Sequence, residues 1–251
     1  MADLLGYAPP AELLKDKVVL ITGAGGGIGS AVAQASARAG ATVVLLGRTV
    51  SKLEAVYDAI TAAGGPEPAI YPLNLEGATY KNYEELAATI EREFGRLDGL
   101  VHCAALFDHL KPLAEHEPAL WLRCVQVNLT APFLLTQVCM PLLQAAPAAS
   151  IVFVNDLGNC TAQPYWGAYG VAKAGLEHLT QVLARELRAT PVRVNSLDPG
   201  PVKTALRARA FPAAASASAR APEAVAPAFL YLLGADSTGV SGQALAILPP
   251  T

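Results

Sequence analysis

Seven short apolar runs alternate along the 251-residue chain with longer helix-compatible segments. The pattern predicts an α/β fold, doubly wound, with a central seven-stranded parallel sheet and helices on both faces. Three observations carry the prediction. The apolar runs contain few polar residues, as strands buried on both faces do. The segments between them are long enough for the crossovers that parallel neighbours require. A glycine-rich turn follows the first run directly. No internal repeat and no interior linker divides the chain, so residues 1–251 are read as a single domain.

The first strand, residues 18–22, runs into Thr22-Gly23-Ala24-Gly25-Gly26-Gly27-Ile28-Gly29 and then a helix-compatible stretch, 30–39. Such a turn leaves backbone N–H groups open at the positive end of a helix, where a pyrophosphate binds. Glycine also serves plain turns through its tolerance of positive φ, so the motif alone leaves that reading open. The second strand, 42–46, leads into Gly47-Arg48-Thr49, where folds of this kind read the adenosine ribose. A guanidinium there grips a 2′-phosphate in a fork, whereas a carboxylate would repel it. No acidic residue lies between Thr42 and Thr49, so Arg48 and Thr49 point to NADP(H); a solvated strand-end arginine is the alternative.

The third strand, 69–73, precedes Asn74-Leu75, and the fourth, 97–103, precedes Ala104-Ala105. His102, His109 and His116 recur every seven residues, but a strand and Lys111-Pro112 break any common helix, so no metal site is read from them. Long helical segments at 117–143 and 165–187 flank the fifth strand, 151–154. On the second of them Tyr169 and Lys173 are four apart and share one helix face. The sixth strand, 192–196, precedes Pro199-Gly200. An Ala- and Ser-rich stretch at 208–222, with Arg207, Arg209 and Arg220, separates it from the seventh strand, 244–248.

Composition narrows the function. Hydrophobic residues make up 53%, charged residues 16%, and the net charge is −3, which gives a polyanion nothing to bind, so no nucleic-acid partner is expected. No apolar run approaches the ~18 residues that span a bilayer, and Asp3, Glu12 and Asp16 leave no basic leader, so a cytoplasmic chain without a membrane partner is expected. Cys103, Cys124, Cys139 and Cys160 lack C-x-x-C spacing and are read as reduced thiols without a metal.

The Thr-Gly-x-x-x-Gly-x-Gly turn and the Tyr-x-x-x-Lys pair together resemble the short-chain dehydrogenase/reductase family, a Rossmann-fold family, over about residues 14–248. The resemblance implies that Gly23, Gly25, Gly26, Gly27, Ile28 and Gly29 hold the pyrophosphate, and that Asn74 and Leu75 meet the adenine. Cys103, Ala104 and Ala105 stand where the family has Asn-Ala-Gly, which implies a weakened cofactor contact. Asn128 matches a helix Asn that helps hold a water connected to the catalytic Lys. Pro199, Gly200, Val202 and Thr204 match the Pro-Gly-x-x-x-Thr segment that fixes the nicotinamide. Residues 203–222 would form a mobile lid over a small-molecule substrate, a solvated loop being the other reading. The long helices would build a homodimer or homotetramer, although core packing explains their apolar faces equally well.

In this resemblance Tyr169 donates the proton, and Lys173 binds the nicotinamide ribose and favours the phenolate. Asp156 replaces the serine thirteen residues before the Tyr. An ionised carboxylate there accepts but cannot donate, repels a developing oxyanion and raises the phenol pKa. Either burial keeps it protonated as a donor, or it suits a substrate that is cationic or bears N–H groups. The same exchange occurs in pteridine reductases, while Leu45-Leu46-Gly47-Arg48, Trp166-Gly167-Ala168-Tyr169 and the stretch 205–212 look closer to bacterial YciK-type oxidoreductases, which keep the serine. Three activities follow: an NADP(H)-dependent reductase of a carbonyl or an imine or heterocycle, a degenerate member that binds nucleotide with little chemistry, or an ordinary alcohol dehydrogenase working despite Asp156.

Overall fold

In the computed structural model, which describes residues 4–212 and 219–247, seven parallel strands lie in the order β3-β2-β1-β4-β5-β6-β7. They are β1 (Val18–Thr22), β2 (Thr42–Gly47), β3 (Ala69–Pro72), β4 (Gly99–His102), β5 (Ala149–Val154), β6 (Val192–Asp198) and β7 (Ala244–Ala246). Alternate strand residues feed two cores, as the two-residue period of a strand requires. Val19, Ile21, Val43, Leu45, Val101 and Val152 face one side, where α1 (Gly27–Arg38), α2 (Val50–Ala62) and α9 (Ala226–Leu233) pack. Val18, Leu20, Val44, Leu100, Ile151 and Phe153 face the other, beneath α3 (Tyr80–Phe94), α5 (Ala131–Ala145) and α7 (Gly167–Glu186).

Several boundaries differ from the sequence pattern. The fourth strand begins at Gly99, not at Leu97, because the Leu97 N–H bonds the Leu142 carbonyl and the Asp98 carboxylate takes the Val18 N–H at 3.0 Å. The seventh ends at Ala246, and position 248 lies outside the described residues. The segment read as one helix at 117–143 is α4 (Pro118–Val125), a π turn at Gln126–Thr130, and then α5. Helix α7 starts at Gly167; Tyr165 lies outside it, with φ of 75°.

Residues 118–145 are also the one helical run among those described that is long and apolar enough to cross a membrane by length and composition alone. Its apolar residues do not form one continuous run, because Arg123 and Gln126 interrupt them. Leu135, Cys139, Leu142 and Leu143 pack it under the sheet, so here it serves as a core helix.

Phe229 on α9 is fully buried in the first core. Phe229→Ala should lower the unfolding free energy by about 3–5 kcal/mol in urea titration; a loss of only a few tenths would show that α9 does not support the sheet as described.

Candidate active site

The strand order reverses between β1 and β4, and there the carboxyl ends of the strands open onto a cavity of about 650 Å³. A topological switch point of this kind is where doubly wound sheets bind ligands. The glycine turn forms one wall. Gly23 has φ of 67°, and a Cβ on it would come within 2.9 Å of the Ala104 backbone beyond β4. A Cβ on Gly29 would lie 2.3 Å from the Gly23 carbonyl. The Thr22 hydroxyl ties the two strand ends together by accepting the Ala104 N–H at 3.1 Å. Helix α1 starts on Gly26 with no side-chain cap, so its first-turn N–H groups face the cavity. This cradle fits the pyrophosphate of a dinucleotide.

Arg48, Thr49, Asn74 and Leu75 line the same cavity. Arg48 does not stand alone: its Nη1 donates to Glu76 Oε1 at 2.8 Å, and Arg123 donates to Glu76 Oε2 at 2.8 Å through Nε. Lys52 adds a second cation to this end of the cavity. Glu76 and Lys52 are residues that the motifs did not single out. Asn74 Oδ1 accepts the Glu76 N–H at 3.2 Å, which shapes the turn carrying that carboxylate. Past β4, Cys103, Ala104 and Ala105 line the cavity, and burial pushes the Cys103 thiol up to about 12.

The chemistry-bearing groups gather at the other end. Tyr169 and Lys173 are buried on adjacent turns of α7, with Lys173 Nζ 5.5 Å from the Tyr169 ring centroid and donating to the Val154 carbonyl at 2.7 Å. Burial, and then the charges of Asp156 and Asp198, hold the Tyr169 phenol well above its usual range. Lys173, expected to favour the phenolate, lies beside the phenol on the same helix face. The ammonium is turned to a backbone carbonyl, and burial lowers its own pKa while Asp156 partly offsets that.

Asp156 caps the short helix α6 (Leu157–Cys160), with Oδ1 accepting the Asn159 N–H at 3.3 Å and Oδ2 accepting Asn159 Nδ2 at 2.8 Å. Its backbone N–H is held by Asn155, whose amide in turn donates to Glu177 at 3.0 Å. Asp198 at the end of β6 is a second carboxylate that the sequence reading missed. It accepts the N–H groups of Leu157 at 2.9 Å and Gly200 at 2.8 Å, and burial raises its pKa.

Asn128 is not in the cavity wall. It sits in the π turn, where a widened backbone re-aims a side chain. Its amide bonds the Leu106 carbonyl at 2.7 Å, its oxygen accepts the Leu106 N–H at 3.2 Å, and it thereby braces the loop after β4. Pro199, Gly200, Val202 and Thr204 do line the cavity, and the Thr204 hydroxyl caps α8 (Ala205–Ala210) through the Arg207 N–H at 3.1 Å. Lys203 and Arg220 pair across the base of the expected lid, N–H to carbonyl, at 2.8 Å. Residues 213–218 of that lid lie outside the described residues.

The short chain dehydrogenase family profile matches residues 17–215, more than half of the chain. The chain belongs to the short chain dehydrogenase family. Among curated proteins it is 39% identical over 237 residues to the uncharacterized oxidoreductase YciK of Escherichia coli, a match covering 94% of each chain. A short chain dehydrogenase structure from Pseudomonas syringae is 47% identical with a TM-score of 0.93, covering 96% of this chain and 98% of that one. A short chain dehydrogenase from Escherichia coli CFT073, solved with NADPH, is 38% identical with a TM-score of 0.91, covering 95% of this chain and 99% of that one.

Proposed function

We propose that the chain is an NADP(H)-dependent oxidoreductase that transfers hydride between nicotinamide and a small carbonyl, imine or heterocyclic substrate, with Tyr169 as the proton donor. The observation that carries this reading is that Tyr169, Lys173 and Asp156 line the same cavity as the uncapped glycine turn. The family supplies the nicotinamide chemistry, and a relative 38% identical holds NADPH. Arg48, Lys52 and the Thr49 hydroxyl would meet the 2′-phosphate, with Glu76 fixing Arg48 in place. Thr204 and the Val202 backbone would orient the carboxamide.

The cofactor supplies the hydride, and proton handling falls to the protein. Tyr169 would give its proton in the reductive direction: a phenol is protonated at neutral pH, but burial and two nearby carboxylates raise its pKa and so weaken it as an acid, which makes stabilisation of the phenolate as it forms part of the mechanism. The proton moves from Tyr169 Oη to the substrate oxygen or nitrogen as the carbon is reduced. Lys173 then steadies the phenolate left behind. Asp156 takes no serine-like donor role in this account, because Asn159 engages both its oxygens as acceptors. It favours substrates that present N–H groups and disfavours a bare developing oxyanion.

Leu122, Phe133 and Val171 on α4, α5 and α7 are exposed apolar residues that suit a homodimer or homotetramer surface. The four thiols are unpaired, which suits a reducing, cytoplasmic setting. Light scattering should find a dimer or tetramer that Leu122→Glu weakens; a wild-type monomer would contradict this.

The function is tested with NADPH and a panel of ketones, aldehydes and cyclic imines. Tyr169→Phe should lower kcat by roughly 10²- to 10⁴-fold with NADPH affinity unchanged. Asp156→Asn keeps a competent helix cap but removes a charge that raises the phenol pKa. The alkaline fall in kcat/KM for reduction should therefore move to lower pH. NADPH binding with no turnover on any substrate would point to the degenerate, binding-only reading, and an unmoved alkaline limb would remove Asp156 from the proton account.

A further inference from the structure

Resting on the function proposed above, we infer that the substrate carries a carboxylate, and that Arg207 on the lid helix α8 receives it. Arg207 is half-buried and lines the cavity, and its Nε is enclosed without a hydrogen-bond acceptor. None of the ion pairs among the described residues involves it. A sequestered guanidinium donor without an acceptor is costly, and in a native site such a group calls for a partner. Its neighbour Arg209 is committed differently, donating to the Phe107 carbonyl at 2.9 Å and so tying α8 to the loop after β4.

The position of Arg207 relative to the reacting phenol gives the inference its content. The guanidinium lies over the Phe211 ring at 5.0 Å, Phe211 meets Trp166 at 5.9 Å, and Trp166 meets Tyr169 at 5.5 Å. Trp166, Phe211 and Tyr169 all line the cavity, so a chain of tilted ring contacts joins the arginine to the proton donor. Two carboxylates, Asp156 and Asp198, act on Tyr169 beside the single ammonium of Lys173, whereas Arg207 at the far end of the ring contacts has no carboxylate partner among the described residues. A flat or aromatic substrate would lie along the rings with its reducible group at Tyr169 and its carboxylate at Arg207, where a planar fork binds a planar anion.

The test uses isothermal titration calorimetry on protein saturated with NADP⁺, which cannot deliver hydride, with 4-formylbenzoate and 4-formylbenzamide as probes. The carboxylate should bind roughly tenfold or more tighter than the amide, as expected for a charge-assisted pair. Arg207→Gln should abolish that preference while leaving amide and NADP⁺ affinity as they were, and Arg207→Lys should keep part of it. Equal affinities in the wild type, no binding of either probe, or a preference that survives Arg207→Gln would overturn the assignment. Weaker NADP⁺ binding in Arg207→Gln would overturn it by giving the residue to the cofactor phosphates. If the wild type bound no NADP⁺, the oxidoreductase reading would fail first; NADP⁺ binding without discrimination between the probes would defeat this inference alone.

Discussion

The site depends on how closely the chain can approach itself where the strand order turns back, between β1 and β4. At that point the turn after β1 lies against the backbone beyond β4, and only hydrogen atoms fit between them. Gly23 touches Ala104, and Gly29 sits over the Gly23 carbonyl closely enough that any side chain would collide. This contact brings the uncapped start of α1 to the carboxyl edge of the sheet. It also leaves the cavity that β5 and β6 complete with Asp156 and Asp198. Moving the turn outward by the width of one methyl group would carry the helix start away from the groups on α7.

A second constraint is electrostatic. The buried face of α7 places a phenol and an ammonium where little water can solvate either, and burial pushes both towards their neutral forms. Asp156 and Asp198, at the ends of β5 and β6, reinforce this for Tyr169, and Asp156 opposes it for Lys173. The result is a protonated phenol beside a lysine that donates to the Val154 carbonyl. Both acids accept hydrogen bonds from backbone N–H groups, and Asp156 also from the Asn159 amide, so they shape the site through charge and as acceptors, not as donors.

Much of this was legible in the sequence, for local reasons. Strands buried on both faces need continuous apolar runs, and the seven runs correspond to the seven strands. Glycines at a fixed spacing after the first run marked the turn, and the four-residue step from Tyr169 to Lys173 put both on one helix face. What the sequence did not reveal comes from pairings between distant segments. Glu76 joins Arg48, 28 residues before it, to Arg123, 47 residues after it, and nothing near it in the chain signals that role. Asp198 matters because β6 lies beside β5, a fact of sheet order. Asn128 faces the Leu106 loop because the helix widens into a π turn there, which helical periodicity cannot register. The partnership of Asp156 with Asn159 was open to inspection, since an acid three residues before an amide in a short turn is a capping pattern, but the family motif drew attention to the acid's chemistry instead.

The central claim is spatial: a dinucleotide held by the glycine turn presents its nicotinamide to Tyr169. A crystal structure of the NADP⁺ complex measures this directly. The account predicts the pyrophosphate on the first turn of α1 and the nicotinamide C4 within about 4–5 Å of the Tyr169 hydroxyl, close enough for one small substrate to touch both. A cofactor bound elsewhere, or one whose nicotinamide points away from Tyr169, would contradict it.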